Sequence, residues 1–324
     1  MTCVKSAKSK GGSSSGVSRG VCTISSTSNG LRQDWLACPF RALDVGMLED
    51  AARRLFELDG DRPVQLIAAP SLANEAKRQL FRQALLDGEA GVAYFQGKLG
   101  GEISVRATER SPELNFDATM VELTLVDGVL RVGRYAIFEI QTMDFHGTYK
   151  RAVDNISAAS HLHKDDFAAA VEAHPDWLSE GVEGPNISNA FKRTFYQMMF
   201  KFQIGAHGAS AGCVLAIPEA VWGSWQRFLG KPELIPAEDG TWRLLGTPSD
   251  ERPPAWIYVF DLATHTGLTP NPVQLKKVIG TTAAALSHFA LDVAPEAALE
   301  AGGSVDNLLE TIKARLMRFD PDIV

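Results

Sequence analysis

The chain has 324 residues, a net charge of −7 and a pI near 5.6, with 45% hydrophobic and 22% charged residues. That balance suits a globular protein of one large or two ordinary domains and excludes a histone-like coat protein, while leaving room for a local basic surface. No apolar run is long enough to span a bilayer, no secretory leader is expected, and four cysteines in this length do not make a disulfide scaffold.

Residues 1–33 contain Lys5, Lys8, Lys10, Arg19 and Arg32 and no acid, and they are rich in Ser and Gly, so they read mostly as loop. The spacing predicts an amphipathic helix from Leu48 to Leu58 and a second helix starting near Ser71 as N-cap. "AGVAYFQ", Ala90 to Gln96, reads as a strand and is followed by the glycine-rich "GKLGGE". Two further strand patterns, "LNFDATMVELTLV" and "VLRVGRYAIFEIQ", flank Asp127-Gly128, a strong hairpin signal. Helices are expected over Tyr149 to Ala159, over 165–180, and through "NISNAFKRTFYQMMFKFQIG", with Ser188 as cap. "CVLAIPEAVWGSWQRFL" reads as a strand running into a helix, and "AWIYVFDL" as a strand. Helices are expected near 273–290 and 303–318.

The unusual feature is Glu139 inside a run that otherwise reads as a buried strand. On a strand, Glu139 and Gln141 share a face with Tyr135 and Ile137, while Ala136, Phe138 and Ile140 point the other way. A solvated edge strand would also carry such a glutamate. A two-residue turn at 127–128 pairs Val126 with Val129, and counting back sets Asp117 opposite Phe138, facing away from Glu139. One extra residue in the second strand, from a bulge at Gly133 or from a three-residue turn, brings Asp117 opposite Glu139. The two carboxylates then converge beside Gln141, a set suited to Mg²⁺ and to metal-assisted phosphodiester hydrolysis. Glu102, after the glycine turn, is a candidate additional acid.

Cys3, Cys22 and Cys38 form the second feature. Thiolate sites suit zinc or iron, but three thiolates do not close a structural site, and Cys213 sits in an apolar strand far away. Either a fourth ligand is missing or this is not a complete metal site. No phosphate loop, dinucleotide fingerprint or nucleophile elbow is present.

Several long strings carry a resemblance: "SRGVC", "DWLACPFRALD", "LIAAPSLA", "VAYFQGKLGGEISV", "SPELNFDATM", "EIQTMDFHGTYKRAV" and "EGPNISNAFKRTFYQM". In this order they resemble the NotI-type restriction endonucleases of the PD-(D/E)xK nuclease superfamily, from about Cys3 to Trp225 and more weakly beyond. The resemblance implies an α/β fold with a restriction-endonuclease-like core, a central mixed sheet flanked by helices, over residues 46–324. It implies a small cysteine metal-binding module over 1–45. Asp117 and Glu139 are then ligands of Mg²⁺, Gln141 stands where the superfamily has lysine, and Glu102 is a further active-site acid. Cys3, Cys22 and Cys38 match three of four cysteines that bind iron. The first of the four has no counterpart here, and "AKSKGGSSSG" is an insertion between Cys3 and Cys22.

The activity so implied is that of a type II enzyme in the bacterial cytoplasm. It is a symmetric homodimer cleaving double-stranded DNA at a GC-rich palindrome, alongside a DNA methyltransferase of matching specificity. Candidate DNA contacts are Arg106, Arg110 and Glu113, before the catalytic strand, and Lys192, Arg193 and Lys201 on the long helix. The rival expectation is a catalytically inactive, sequence-specific DNA-binding protein with the same fold.

Overall fold

The structure is a computed structural model that describes residues 23–28, 31–58, 60–97, 99–143, 145–248, 252–263, 272–300 and 305–320. Cys3 and Cys22 lie outside the described residues. A hairpin of β1 (Thr23–Ser28) and β2 (Leu31–Leu36) opens it, although composition predicted mostly loop up to residue 33. The short helix α1 (Pro39–Ala42) leads into α2 (Val45–Phe56). Asp44 caps α2 by accepting from the Gly46 and Met47 amides. Strand β3 (Val64–Ala68) leads through a single 3₁₀ turn to α3 (Glu75–Leu86). The cap of α3 is Asn74 rather than Ser71, because Ala69–Ala73 winds as that separate turn and the Asn74 side chain accepts from the Lys77 amide.

β4 (Ala90–Gln96) falls where the sequence placed it. The next expected strand, Leu114 to Val126, splits in two. β5 (Ile103–Val105) pairs with β6 (Leu114–Phe116), the chain bends at Asp117, and β7 (Ala118–Val126) continues. β7 returns as β8 (Val129–Ile140) through Asp127-Gly128, whose φ values of 51° and 75° suit a two-residue hairpin turn.

An excursion follows β8. It comprises β9 (Phe145–Gly147), α4 (Lys150–Leu162), α5 (Phe167–Ala173) and β10 (Val182–Pro185), with β9 and β10 paired. The long helix α6 (Ile187–Gly205), β11 (Ser210–Pro218) and α7 (Glu219–Phe228) complete the centre of the fold. α6 starts after Asn186, so Ser188 lies within its first turn and not at its cap.

Then come β12 (Leu234–Pro236), β13 (Trp242–Leu244), β14 (Ala255–Leu262) and β15 (Val273–Thr281). Residues 273–281 were expected to be helical. "VQLKKVIGT" instead pairs antiparallel with β14, because its apolar end is buried as an inner strand of the sheet. α8 (Ala283–His288), α9 (Ala294–Glu300) and α10 (Val305–Leu316) end the described chain.

One 9-stranded mixed sheet runs in the order β12-β13-β15-β14-β11-β8-β7-β4-β3. β8, β11 and β14 are parallel neighbours, while β7 is antiparallel to both β4 and β8. Alternation along β8 decides the layers. Ala136, Phe138 and Ile140 share one core with the buried face of α2, and Ile137 shares the other with α6, α7 and α8. The molecule is therefore an α/β protein with a large central sheet flanked by helices. Leu36, Trp35 and Ala42 belong to these same cores, so the segment around Cys38 packs against the body. No helix among the described residues is long and apolar enough to cross a membrane.

α6 reaches the sheet at a glycine. A Cβ on Gly205 would lie 2.7 Å from the Cys213 Cβ and 2.9 Å from its amide nitrogen. Gly205→Ala is expected to force α6 and β11 apart and to cost about 1–3 kcal/mol. Urea unfolding followed by circular dichroism checks this, and an unchanged midpoint would contradict the close packing described.

Candidate functional site

The β7–β8 register decides the site. Val126 pairs with Val129, but Val121 pairs with Tyr135 and Ala118 with Phe138, so one extra residue is absorbed on β8 between Val132 and Tyr135. The extra residue lies at the Gly133-Arg134 step, where the bulge was expected. In the shifted register Asp117 stands opposite Glu139. The Asp117 amide donates to Glu139 Oε1 at 3.2 Å, and the Ile140 amide donates to Asp117 Oδ2 at 2.9 Å. Asp117 itself lies at the bend between β6 and β7.

Glu139 is 8% exposed. It lies on the α6 face of β8, so that helix closes over it. Lys201 of α6 is 6% exposed and places its ammonium 2.5 Å from Glu139 Oε2. This differs from the surface DNA-contacting role expected for Lys201. The periodicity placed it on one face with Arg193 and Gln197, yet the helix turns Lys201 inward while Lys192 and Arg193 stay exposed.

Gln141 follows the end of β8 and is held at both ends of its amide. The Thr194 hydroxyl donates to Oε1 at 2.9 Å, and Nε2 donates to the Thr142 carbonyl at 2.8 Å. Thr194 and Gln197, like the inward turn of Lys201, were not picked out as site residues from the sequence. Their one-turn spacing along α6 was visible, but not which stripe of the helix meets β8.

These groups line a cavity of about 350 Å³, together with Glu113 and Asn115 from the approach to β7. Glu113 is thus at the cavity, while Arg106 and Arg110 are exposed in the loop between β5 and β6. Glu102 is exposed and outside the cavity lining. Continuing the β5–β6 register one step beyond Ile103 and Phe116 sets it alongside Asp117.

The Glu139 carboxyl is pushed up from 4.5 to about 8, first by burial and then by the charge of Asp117, against the opposing pull of Lys201. A raised carboxyl pKa means the folded state holds this proton more tightly than the unfolded chain does. That contribution to stability is present below about 4.5 and is lost as pH rises to about 8. The melting temperature of the wild type, measured relative to Glu139→Gln, is therefore expected to fall between pH 5 and pH 8. Scanning calorimetry across that range checks the sign, and a difference that grows with pH would refute it.

The donor set fits a hard divalent cation: the convergent Asp117 and Glu139 carboxylates in a polar cavity, with no cysteine or histidine among the lining residues. Among the described residues no group of three or more His, Cys, Asp or Glu side chains could hold a metal. The site thus offers two carboxylates, the number with which Mg²⁺ is commonly held while keeping waters.

Cys38 is a buried free thiol at the start of α1. Its neighbour Ala37 accepts a hydrogen bond from the Thr142 hydroxyl, and Leu36 accepts from the Met143 amide. The N-terminal segment is therefore tied to the loop just after Gln141. No protein-family model matches this chain, and no curated protein matches it.

Proposed function

We propose that this chain is a type II restriction endonuclease with a PD-(D/E)xK core, hydrolysing phosphodiesters of double-stranded DNA at a GC-rich palindrome. The observation that carries the reading is the convergence of Asp117 and Glu139, brought about by the bulge on β8, in a polar cavity beside Gln141. The long strings that carry the resemblance to NotI-type enzymes run through the same residues.

Asp117 and Glu139 would hold Mg²⁺, which when bound supplies an acidified water and charge stabilisation at the attacked phosphate. Gln141, fixed by Thr194 and by the Thr142 carbonyl, presents an oriented neutral amide at the edge of the cavity. It carries no charge, so its part is to orient a water. Glu102 assists from the β5 side. The cavity is lined mainly by polar groups, as a site for a charged backbone needs.

The exposed Arg106 and Arg110, with Glu113 at the cavity, would contact base edges next to the scissile bond. Lys192 and Arg193 lie on the exposed side of α6, where they would meet the phosphate backbone. A palindromic site calls for a two-fold dimer, and such a nuclease calls for a partner methyltransferase. Iron or zinc at the N-terminal module would draw on Cys3, Cys22 and Cys38.

The test is a digest of GC-rich plasmid and phage DNA with Mg²⁺. Discrete fragments support the reading. Sequence-specific binding without cleavage would favour the inactive DNA-binding protein instead.

A further inference from the structure

The Asp117–Glu139 site contains a buried cation that the strand pattern does not supply. Lys201 comes from α6, with its ammonium 2.5 Å from Glu139 Oε2 and 5.9 Å from the centre of the Phe116 ring. Lysine is almost never buried this deeply unless its charge is answered. Here it is answered by one of the two carboxylates of the site. Gln141 cannot share that role, since its amide is neutral and engaged with Thr194 and the Thr142 carbonyl.

The consequence is geometric. Glu139 is held at both oxygens, Oε1 by the Asp117 amide at 3.2 Å and Oε2 by Lys201. Asp117 is held at one, Oδ2, by the Ile140 amide. The plane of the Glu139 carboxylate is therefore set before any other cation enters. A charge-assisted bond of this kind is short and directional, and a preset carboxylate needs no reorganisation when charge develops nearby. The flexible lysine stem is fixed by its burial in α6 against the core that contains Phe116 and Met198.

We infer that Lys201 is the positioning cation of the Asp117–Glu139 site, delivered by helix α6 and not by strand β8. It orients Glu139 in the metal-free protein. Its catalytic consequence rests on the nuclease reading, whereas the pairing with Glu139 does not.

Two readouts separate these. The first is Mn²⁺ binding to the DNA-free full chain, followed by electron paramagnetic resonance. Removing a positive charge beside the carboxylates frees Oε2 and lifts repulsion of a dication. Lys201→Met is therefore expected to bind Mn²⁺ roughly fivefold or more tightly. The second is single-turnover cleavage at saturating Mg²⁺ and DNA. Lys201→Met is expected to slow it about 100-fold with DNA affinity unchanged, because Glu139 is no longer held. Lys201→Arg, which restores a donor and a charge, is expected to recover much of the rate. Lys201→Gln serves as the uncharged variant if the methionine variant does not fold.

Unchanged Mn²⁺ affinity in the uncharged variant overturns the inference, as does equal slowing in the Arg and uncharged variants with an equal fall in melting temperature, which marks a purely structural lysine. Wild-type protein that never cleaves DNA, with Mn²⁺ binding still tightened by Lys201→Met, overturns the nuclease reading and leaves the pairing intact.

Discussion

Glu139→Ala is expected to abolish cleavage, lowering the single-turnover rate by about 10³-fold or more with Mg²⁺ present. The size follows from what is removed. A divalent ion at a phosphodiester supplies several kcal/mol of transition-state charge stabilisation, and each 1.4 kcal/mol is about tenfold in rate. Losing one of two carboxylates removes most of the hold on that ion. Asp117→Asn is expected to act in the same direction, since Asp117 supplies the other carboxylate and its Oδ2 also fixes the Ile140 amide.

The measurement is a digest of GC-rich DNA with wild type and variants in parallel, together with gel-shift binding in Ca²⁺. Discrete bands from the wild type, none from Glu139→Ala and similar binding by both would place the chemistry at this pair. Equal cleavage by wild type and variant would sink the site assignment. Discrete bands from neither, with binding by both, would favour the non-cleaving DNA-binding protein.

The largest stability effect is expected at Trp225. It is fully buried on α7 and meets Phe191 of α6 edge to face, with ring centres 5.2 Å apart. Trp225→Ala is expected to cost about 3–5 kcal/mol, as large-to-small core changes do when the surroundings collapse only in part. Trp225→Phe is expected to cost less, about 1–2 kcal/mol, because it keeps a ring against Phe191 and removes a buried indole N–H that finds no acceptor. The effect reaches the site through α6, which packs on α7 and carries Thr194 and Lys201. Urea unfolding gives the two costs, and their order is the test: a phenylalanine variant as unstable as the alanine one would mean the ring packing contributes little.

Much of this architecture is legible in the linear chain, for physical reasons that act locally. Asp127-Gly128 admits positive φ at both turn residues, so the hairpin and its Val126–Val129 closure follow from two residues. Period-two alternation in "YAIFEI" separates Ala136, Phe138 and Ile140 from Ile137 and Glu139, and the two cores divide along that line. Register arithmetic sets Asp117 opposite Phe138 unless the second strand gains a residue, and Gly133 marks one place where it can. The apolar spacing of Phe191, Met198 and Phe202 marks the buried stripe of α6.

What the chain by itself left open depends on contacts between distant segments. Residues 273–281 look amphipathic in isolation and become a strand only because β14 offers them an edge to pair with. The run from Leu114 to Val126 reads as one strand, yet it breaks at Asp117 because β6 pairs with β5 and β7 with β4 and β8. Lys201 shows the same limit most clearly. Its spacing with Arg193 and Gln197 is compatible with a solvated face, and nothing local distinguishes that from an inward one. The rotation of α6 is decided by Gly205 meeting β11 and by Phe191 and Phe202 filling the core, and that rotation sets the lysine on Glu139. Periodicity can place residues on a common stripe of a helix, but the direction in which the stripe faces is fixed by the packing of the whole.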